Sequence, residues 1–170
     1  QVRLAGLQAP LPARDGRPAW PLATEASAAV GHALLGRTVQ LWHPEDRRDR
    51  WGRSLAHIVR DDGYWLQGAL LMDGLVRVYT QPRTATGATL MLDLERTARA
   101  ARRGIWSDRF YRIRNPAETW NDLDSVQIVE GRVVDAATVR GTAYLNFGTD
   151  WRSDFTFRIE SNARRAFKRV

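Results

Sequence analysis

The sequence predicts an α+β protein that is mainly β, and three observations carry that reading. Apolar residues alternate in several short runs, helical spacing shows only in three places, and turn residues separate the two kinds of segment. The chain has 170 residues, 44% of them hydrophobic, enough for a core in one large domain or two small ones.

Val2-Arg3-Leu4-Ala5-Gly6-Leu7 alternates like a strand and runs into a loop rich in Pro, Arg and Gly from Pro10 to Pro21. Thr24 to Leu35 reads as a helix, with Gly36 where a C-cap belongs. Arg37 to Trp42 and Trp51 to Val59 read as the strands of a hairpin across a charged turn, Pro44 to Arg50. Asp61-Asp62-Gly63 reads as a plain turn, since the rest of a calcium loop is missing. Trp65 to Met72 predicts a short apolar helix stopped by Gly74, and Leu75 to Tyr79 a strand. From Ala88 to Arg102, Leu90, Leu94, Ala98 and Ala101 recur at helical spacing, and Gly104 ends the run. Residues 109–125 read as a linker. Strands follow at Gln127 to Val134, Thr142 to Phe147 and Asp154 to Ile159, and a basic tail at Ala163 to Val170.

The chain contains no cysteine, which removes disulfides, zinc ribbons and thiol catalysis. No run approaches the roughly 18–20 apolar residues of a membrane span. Net charge is +7, and Lys168 is the sole lysine, so the basic charge is almost entirely arginine. Guanidinium suits bidentate contacts to phosphate and carboxylate. Such a surplus points to polyanionic partners or to compositional bias alone. His32, His43 and His57 have no metal-ligand spacing and read as structural or solvent-facing, so no metal site is assigned.

Four segments in order resemble the staphylococcal-nuclease (thermonuclease) family. Val2 to Pro10 is similar to its strand into a "D-x-P-E" loop. Asp49-Arg50-Trp51-Gly52-Arg53-Ser54-Leu55-Ala56 is similar to its "D-[KR]-[YW]-G-R-x-L-A" segment. Leu70-Leu71-Met72-Asp73-Gly74-Leu75-Val76 resembles its "L-x-x-G-L-A" turn, and Arg103-Gly104-Ile105-Trp106-Ser107 its "G-[IL]-W" end. The resemblance spans residues 1–108 and implies an OB-fold Greek-key barrel with helices packed on it. It also implies calcium-assisted phosphodiester hydrolysis by a bound cation, a carboxylate base and two arginines.

The two arginines match Arg3 and Arg53, but the acidic groups do not match. Gln8 stands at the metal-binding Asp, Ala9 at the adjacent hydroxyl and Leu11 at the catalytic Glu. A further metal Asp of the family lies upstream of Gln1, and Asp15 is the nearby carboxylate that could reach the pocket. Losing a general base typically costs ~10²–10⁴ in rate. The family's first hairpin precedes residue 1. A longer chain, strands lent by a partner, or a fold-back of Gln127 to Val134 and Tyr144 to Gly148 would each complete the barrel.

These departures predict a catalytically degenerate member serving as a structural or interaction module, as an accessory subunit of a larger assembly with a protein partner. The alternatives are a nucleic-acid-binding module without cleavage and a calcium-dependent nuclease with rearranged carboxylates. No cofactor is expected outside the last. Arg50, Trp51 and Arg53 are the candidate nucleic-acid or anion-binding residues, by charge and stacking. Arg53 equally reads as an ion pair with Asp49, and Arg50-Trp51 as a solvated hairpin. Asp93 and Glu95 read as helix-face partners of Arg96, Arg99, Arg102 and Arg103. Trp106, Arg109, Phe110, Tyr111, Arg112 and Arg114 are the candidate docking residues, because arginine among aromatics marks interfaces. Their other reading is packing between domains. Arg140 to Gly148, followed by Asp150 to Phe155, resembles a tail after degenerate nuclease-like domains in bacterial proteins. It suggests a second, OB-like β-rich unit over 126–170. The family leans to a secreted or cell-envelope setting.

Overall fold

The computed structural model describes residues 1–123 and 125–164. The chain divides into two compact units, Gln1–Tyr111 and the part from Arg112 onward. In the first unit, β1 (Val2–Leu4) lies parallel to β4 (Ser54–Arg60), with Arg3 opposite Leu55. On its other side, β3 (Val39–Trp42) pairs antiparallel with β4, so β4 is the central strand. A second ribbon joins β2 (Leu7–Gln8) to β5 (Arg77–Val78), antiparallel, with Gln8 opposite Arg77. Three helices complete the unit: α1 (Ala23–Leu34), α2 (Leu66–Met72) and α3 (Ala88–Ala100).

The core explains why α2 forms although it has only seven residues. Leu66, Leu70 and Leu71 are buried at helical spacing and pack with Leu7, Ile58, Val76 and Met91. Such a short helix gains little on its own, so burial of this face stabilises it. Gln67 is fully buried among these side chains. Its Nε2 donates to the Ala56 carbonyl at 2.9 Å, and its Oε1 accepts from the Ile58 N–H at 3.1 Å. The amide thereby satisfies its polar atoms and ties α2 to β4. Strand β4 is buried from Leu55 to Ile58, which places His57 inside, 5.8 Å from the Trp65 ring.

Two glycines join the ends of α2 and α3. Gly74 (φ +66°) and Gly104 (φ +52°) lie so close that the Ile105 N–H donates to the Gly74 carbonyl at 2.8 Å. A Cβ on Gly74 would sit 2.2 Å from the Arg103 carbonyl oxygen. The two sequence segments Leu70 to Val76 and Arg103 to Ser107 are thus halves of one junction.

The second unit holds β6 (Asp135–Val139), β7 (Thr142–Asn146) and β8 (Thr156–Ile159) in an antiparallel sheet of that order. This corrects the expected strand at Gln127 to Val134. That segment makes one isolated bridge, Arg114 to Val129, because the Arg114 backbone bonds Ile128 and Glu130. The strand begins instead at Asp135 and turns into β7 at Arg140-Gly141, both at positive φ as a two-residue hairpin turn requires. Nor does this hairpin supply strands to the first unit's sheets. Among the described residues, β6, β7 and β8 pair only with one another. Asn146 is a hydrogen-bonding point in this sheet: its Oδ1 accepts from Thr156 Oγ1 at 3.0 Å. The 109–125 segment carries two 3₁₀ turns, Arg109–Tyr111 and Pro116–Asp122. The second is opened by Asn115, with Pro116 next and Glu118 closing a capping box. Within the expected basic tail, residues 165–170 lie outside the described residues. No helix among the described residues is long and apolar enough to cross a membrane.

Two outcomes follow. Gly74→Ala should cost ~2 kcal/mol or more in urea unfolding, because both the positive φ and the Arg103 carbonyl oppose a Cβ. Burial holds His57 below the ordinary histidine value, against a smaller opposing pull from the Thr86 backbone. The unfolded chain therefore takes up this proton first, near pH ~6.5. Stability should be complete above that pH and decline as the pH falls below it. His57→Gln should flatten this slope in thermal melts between neutral and mildly acidic pH.

Candidate phosphate-binding cleft

Asp49 organises the loop between β3 and β4. Its Oδ1 accepts the Trp51 N–H at 3.0 Å and the Arg53 N–H at 2.9 Å. Its Oδ2 accepts from Arg53 Nε at 2.6 Å, and Arg3 Nη1 lies 3.8 Å away. The backbone closes the same turn, with Gly52 N–H donating to the Asp49 carbonyl. The Asp49 side chain is only 6% exposed, whereas that of Arg3 is 40% exposed. Burial pushes the Asp49 carboxyl up. The Arg53 guanidinium and the two backbone N–H donors outweigh that and hold it below the usual carboxylate range.

A cleft of about 380 Å³ opens beside this turn. Arg3, Arg48, Arg50, Trp51, Tyr79 and Gln81 line it, together with Asp46 and Asp49. Trp51 is 60% exposed and carries the Arg50 guanidinium 4.0 Å from its ring centroid, with that of Arg53 at 5.0 Å. Arg48 Nη1 donates to the Gly52 carbonyl at 2.8 Å. Asp46 accepts from Arg83 Nε at 2.6 Å. Both carboxylates of the cleft are thus paired with arginine. The arrangement offers guanidinium and an aromatic face to a phosphate-bearing ligand.

The structure brings Arg3, Arg50, Trp51 and Arg53 together. It places the departed positions elsewhere. Gln8 Oε1 accepts from Arg77 Nε at 2.7 Å, on the ribbon. Leu11 is 49% exposed, and Ala9 is exposed too. Asp15 pairs with Arg14 at 3.1 Å on an open loop and does not line the cleft. Asp61-Asp62-Gly63 is a turn, in which Asp62 accepts the Tyr64 N–H and pairs with Arg60. Among the described residues, no three His, Asp or Glu side chains cluster as metal ligands.

The docking candidates separate by burial. Tyr111 is buried, and its hydroxyl donates to the Pro21 carbonyl at 2.6 Å. Burial and Asp108 push that phenol up to about 12, against a smaller pull from Arg77. Arg114 is buried too, held by Asp122 at 2.7 Å. Neither presents the surface that docking needs. Phe110 packs on Trp20 and Tyr111, and Trp106 lies beside Arg99. Arg109 is exposed, and Arg112 is exposed while paired with Glu118. Glu95, expected on the exposed face of α3, is buried and accepts the Val78 N–H at 2.6 Å. Tyr79, Gln81 and Arg48 enter the cleft without a sequence motif of their own; the strand pattern at Leu75 to Tyr79 and the charged turn from Pro44 to Arg50 pointed near them.

Comparison with known proteins identifies the family of residues 1–108. The family model of staphylococcal nuclease homologues matches residues 1–108. A protein of Schizophyllum commune described as "Probable endonuclease LCL3" is 36% identical over 131 residues, covering 69% of this chain and 43% of the relative. A protein of Candida glabrata with the same description is 31% identical over 128 residues, covering 69% and 46%. The chain therefore spans less than half the length of the curated relatives it matches. Through residues 1–108, with their α+β OB-type fold, this chain belongs to the staphylococcal nuclease family.

Proposed function

We propose that this is a catalytically degenerate nuclease-like domain that binds phosphodiester strands without cutting them. The observation that carries the reading is the pairing of both cleft carboxylates, Asp49 with Arg53 and Asp46 with Arg83. Asp49, whose proton affinity Arg53 and two backbone N–H groups lower, is a weak general base, and Asp46 is engaged by Arg83. Calcium, which the family implies, does not suit the residues present. Gln8 brings a neutral amide already bound to Arg77, and Leu11 brings no donor.

What the chain's own residues do is bind and orient. Arg3 and Arg50 offer guanidinium groups to phosphate oxygens from the cleft wall. Trp51 offers a face for a base, as single-strand binders commonly do. Asp49 holds Arg3 and Arg53 in place through the contacts above.

A second reading, an accessory subunit docking on a protein partner, is favoured by the large exposed side chains of the second unit. Trp120 is 71% exposed, Leu123 79% and Trp151 64%. The description of both relatives as probable endonucleases favours a third reading, an active nuclease.

Fluorescence anisotropy with a labelled single-stranded oligodeoxynucleotide separates the first two. Binding should weaken linearly in log Kd against log salt, by about 0.7 per phosphate contacted. Trp51→Ala should weaken it by ~10-fold, the worth of one stacked base. Asp49→Asn should weaken binding through misplaced Arg3 and Arg53. It should also remove a contribution to stability that is present above the ordinary aspartate range, near pH ~4, and fades below it. Absence of oligonucleotide binding at low salt would leave the protein-docking reading.

A further inference from the structure

We propose that Arg77 excludes a divalent cation from the Gln8 loop, so that ligand binding in the cleft is independent of calcium. The inference rests on the binding reading above and deepens it. Strands β2 and β5 place Gln8 and Arg77 directly opposite each other. The side chains use that register: Arg77 Nε donates to Gln8 Oε1 at 2.7 Å. Arg77 is 5% exposed, so its charge is fixed in a site that water screens poorly.

The guanidinium has an internal counter-charge in Glu95 of α3. Glu95 is 5% exposed, accepts the Val78 N–H at 2.6 Å and has Arg99 Nη1 at 3.9 Å. Burial raises its carboxyl, while the Val78 N–H, Arg99 and Arg77 pull in the opposite direction. Gln8, Arg77, Glu95 and Arg99 thus form a polar chain from the ribbon to α3, with Arg77 and Glu95 buried and Gln8 and Arg99 half-buried. A divalent ion approaching the Gln8 oxygen would meet a guanidinium already seated there. The amide brings no negative charge to offset that repulsion. Restoring an acid at position 8 would complete an ion pair with Arg77 before it completed a metal site.

The test is calorimetric titration of calcium chloride into the full chain, with anisotropy of a labelled single-stranded oligodeoxynucleotide in calcium and in chelator. The wild type should give no saturable calcium heat, and oligonucleotide Kd should agree within ~2-fold between the two conditions. Gln8→Asp should gain no calcium binding. Gln8→Asp with Leu11→Glu, which restores two acids to the loop, should also gain none while Arg77 stays, and should gain it once Arg77→Gln is added, with folding checked by circular dichroism. Saturable calcium binding in the wild type, in Gln8→Asp or in Gln8→Asp with Leu11→Glu overturns the proposal, as does a folded triple variant that binds none. Should the triple variant fail to fold, the result for Gln8→Asp with Leu11→Glu decides. An oligonucleotide that binds in neither condition overturns the binding reading alone, because calcium calorimetry is read without nucleic acid.

Discussion

The cleft depends on one carboxylate. Asp49 accepts from two backbone N–H groups and from Arg53, and has Arg3 within ion-pair distance, although its loop offers little apolar surface to bury. A charged turn from Pro44 to Arg50 has no core of its own, so its shape has to come from polar contacts. Those contacts also aim the arginines. One side chain therefore sets a local fold and the electrostatics of a site at once. In the binding reading proposed above, the same arrangement limits the site's chemistry, because a carboxylate that holds arginines is a poor acceptor for a substrate proton.

Beneath the cleft, the scaffold uses few but specific polar contacts. Gln67 fastens α2 to the central strand, and Gly74 with Gly104 lets the ends of α2 and α3 touch backbone to backbone. The Gln8 to Glu95 chain ties the β2–β5 ribbon to α3. Where a metal-binding member of the family would keep a charged loop, this chain has a neutral amide bound inside the fold. None of Gln8, Ala9 and Leu11 places an isolated charge inside the fold.

Much of this was legible in the sequence, and the exceptions have physical reasons. Helices α1, α2 and α3 were visible because Leu and Ala recur at helical spacing and glycines close them. The Asp49 to Arg53 contact was legible as one of two readings for Arg53. Strand β6 was missed because its five residues, Asp135–Val139, are all exposed and carry no alternating apolar face. Its only signal was the Arg140-Gly141 turn. Gln127 to Val134 has the β-branched residues of a strand, but its backbone bonds were claimed by Arg114. Glu95 looked like a surface partner of Arg99, because periodicity cannot show that β5 lies against that face of α3. Tyr111 and Arg114 looked like docking residues for the same reason: composition reports an arginine or an aromatic ring, and only the fold decides whether it faces inward.

The most direct measurement is digestion of single-stranded DNA by the full chain, with calcium and with chelator, beside Arg53→Ala. A domain whose cleft carboxylates are committed to arginines should leave the substrate intact in every lane while still retarding it in a gel. Cleavage that needs calcium and collapses in Arg53→Ala would contradict the account and would make Asp46 and Asp49, the carboxylates lining the cleft, candidates for the catalytic group.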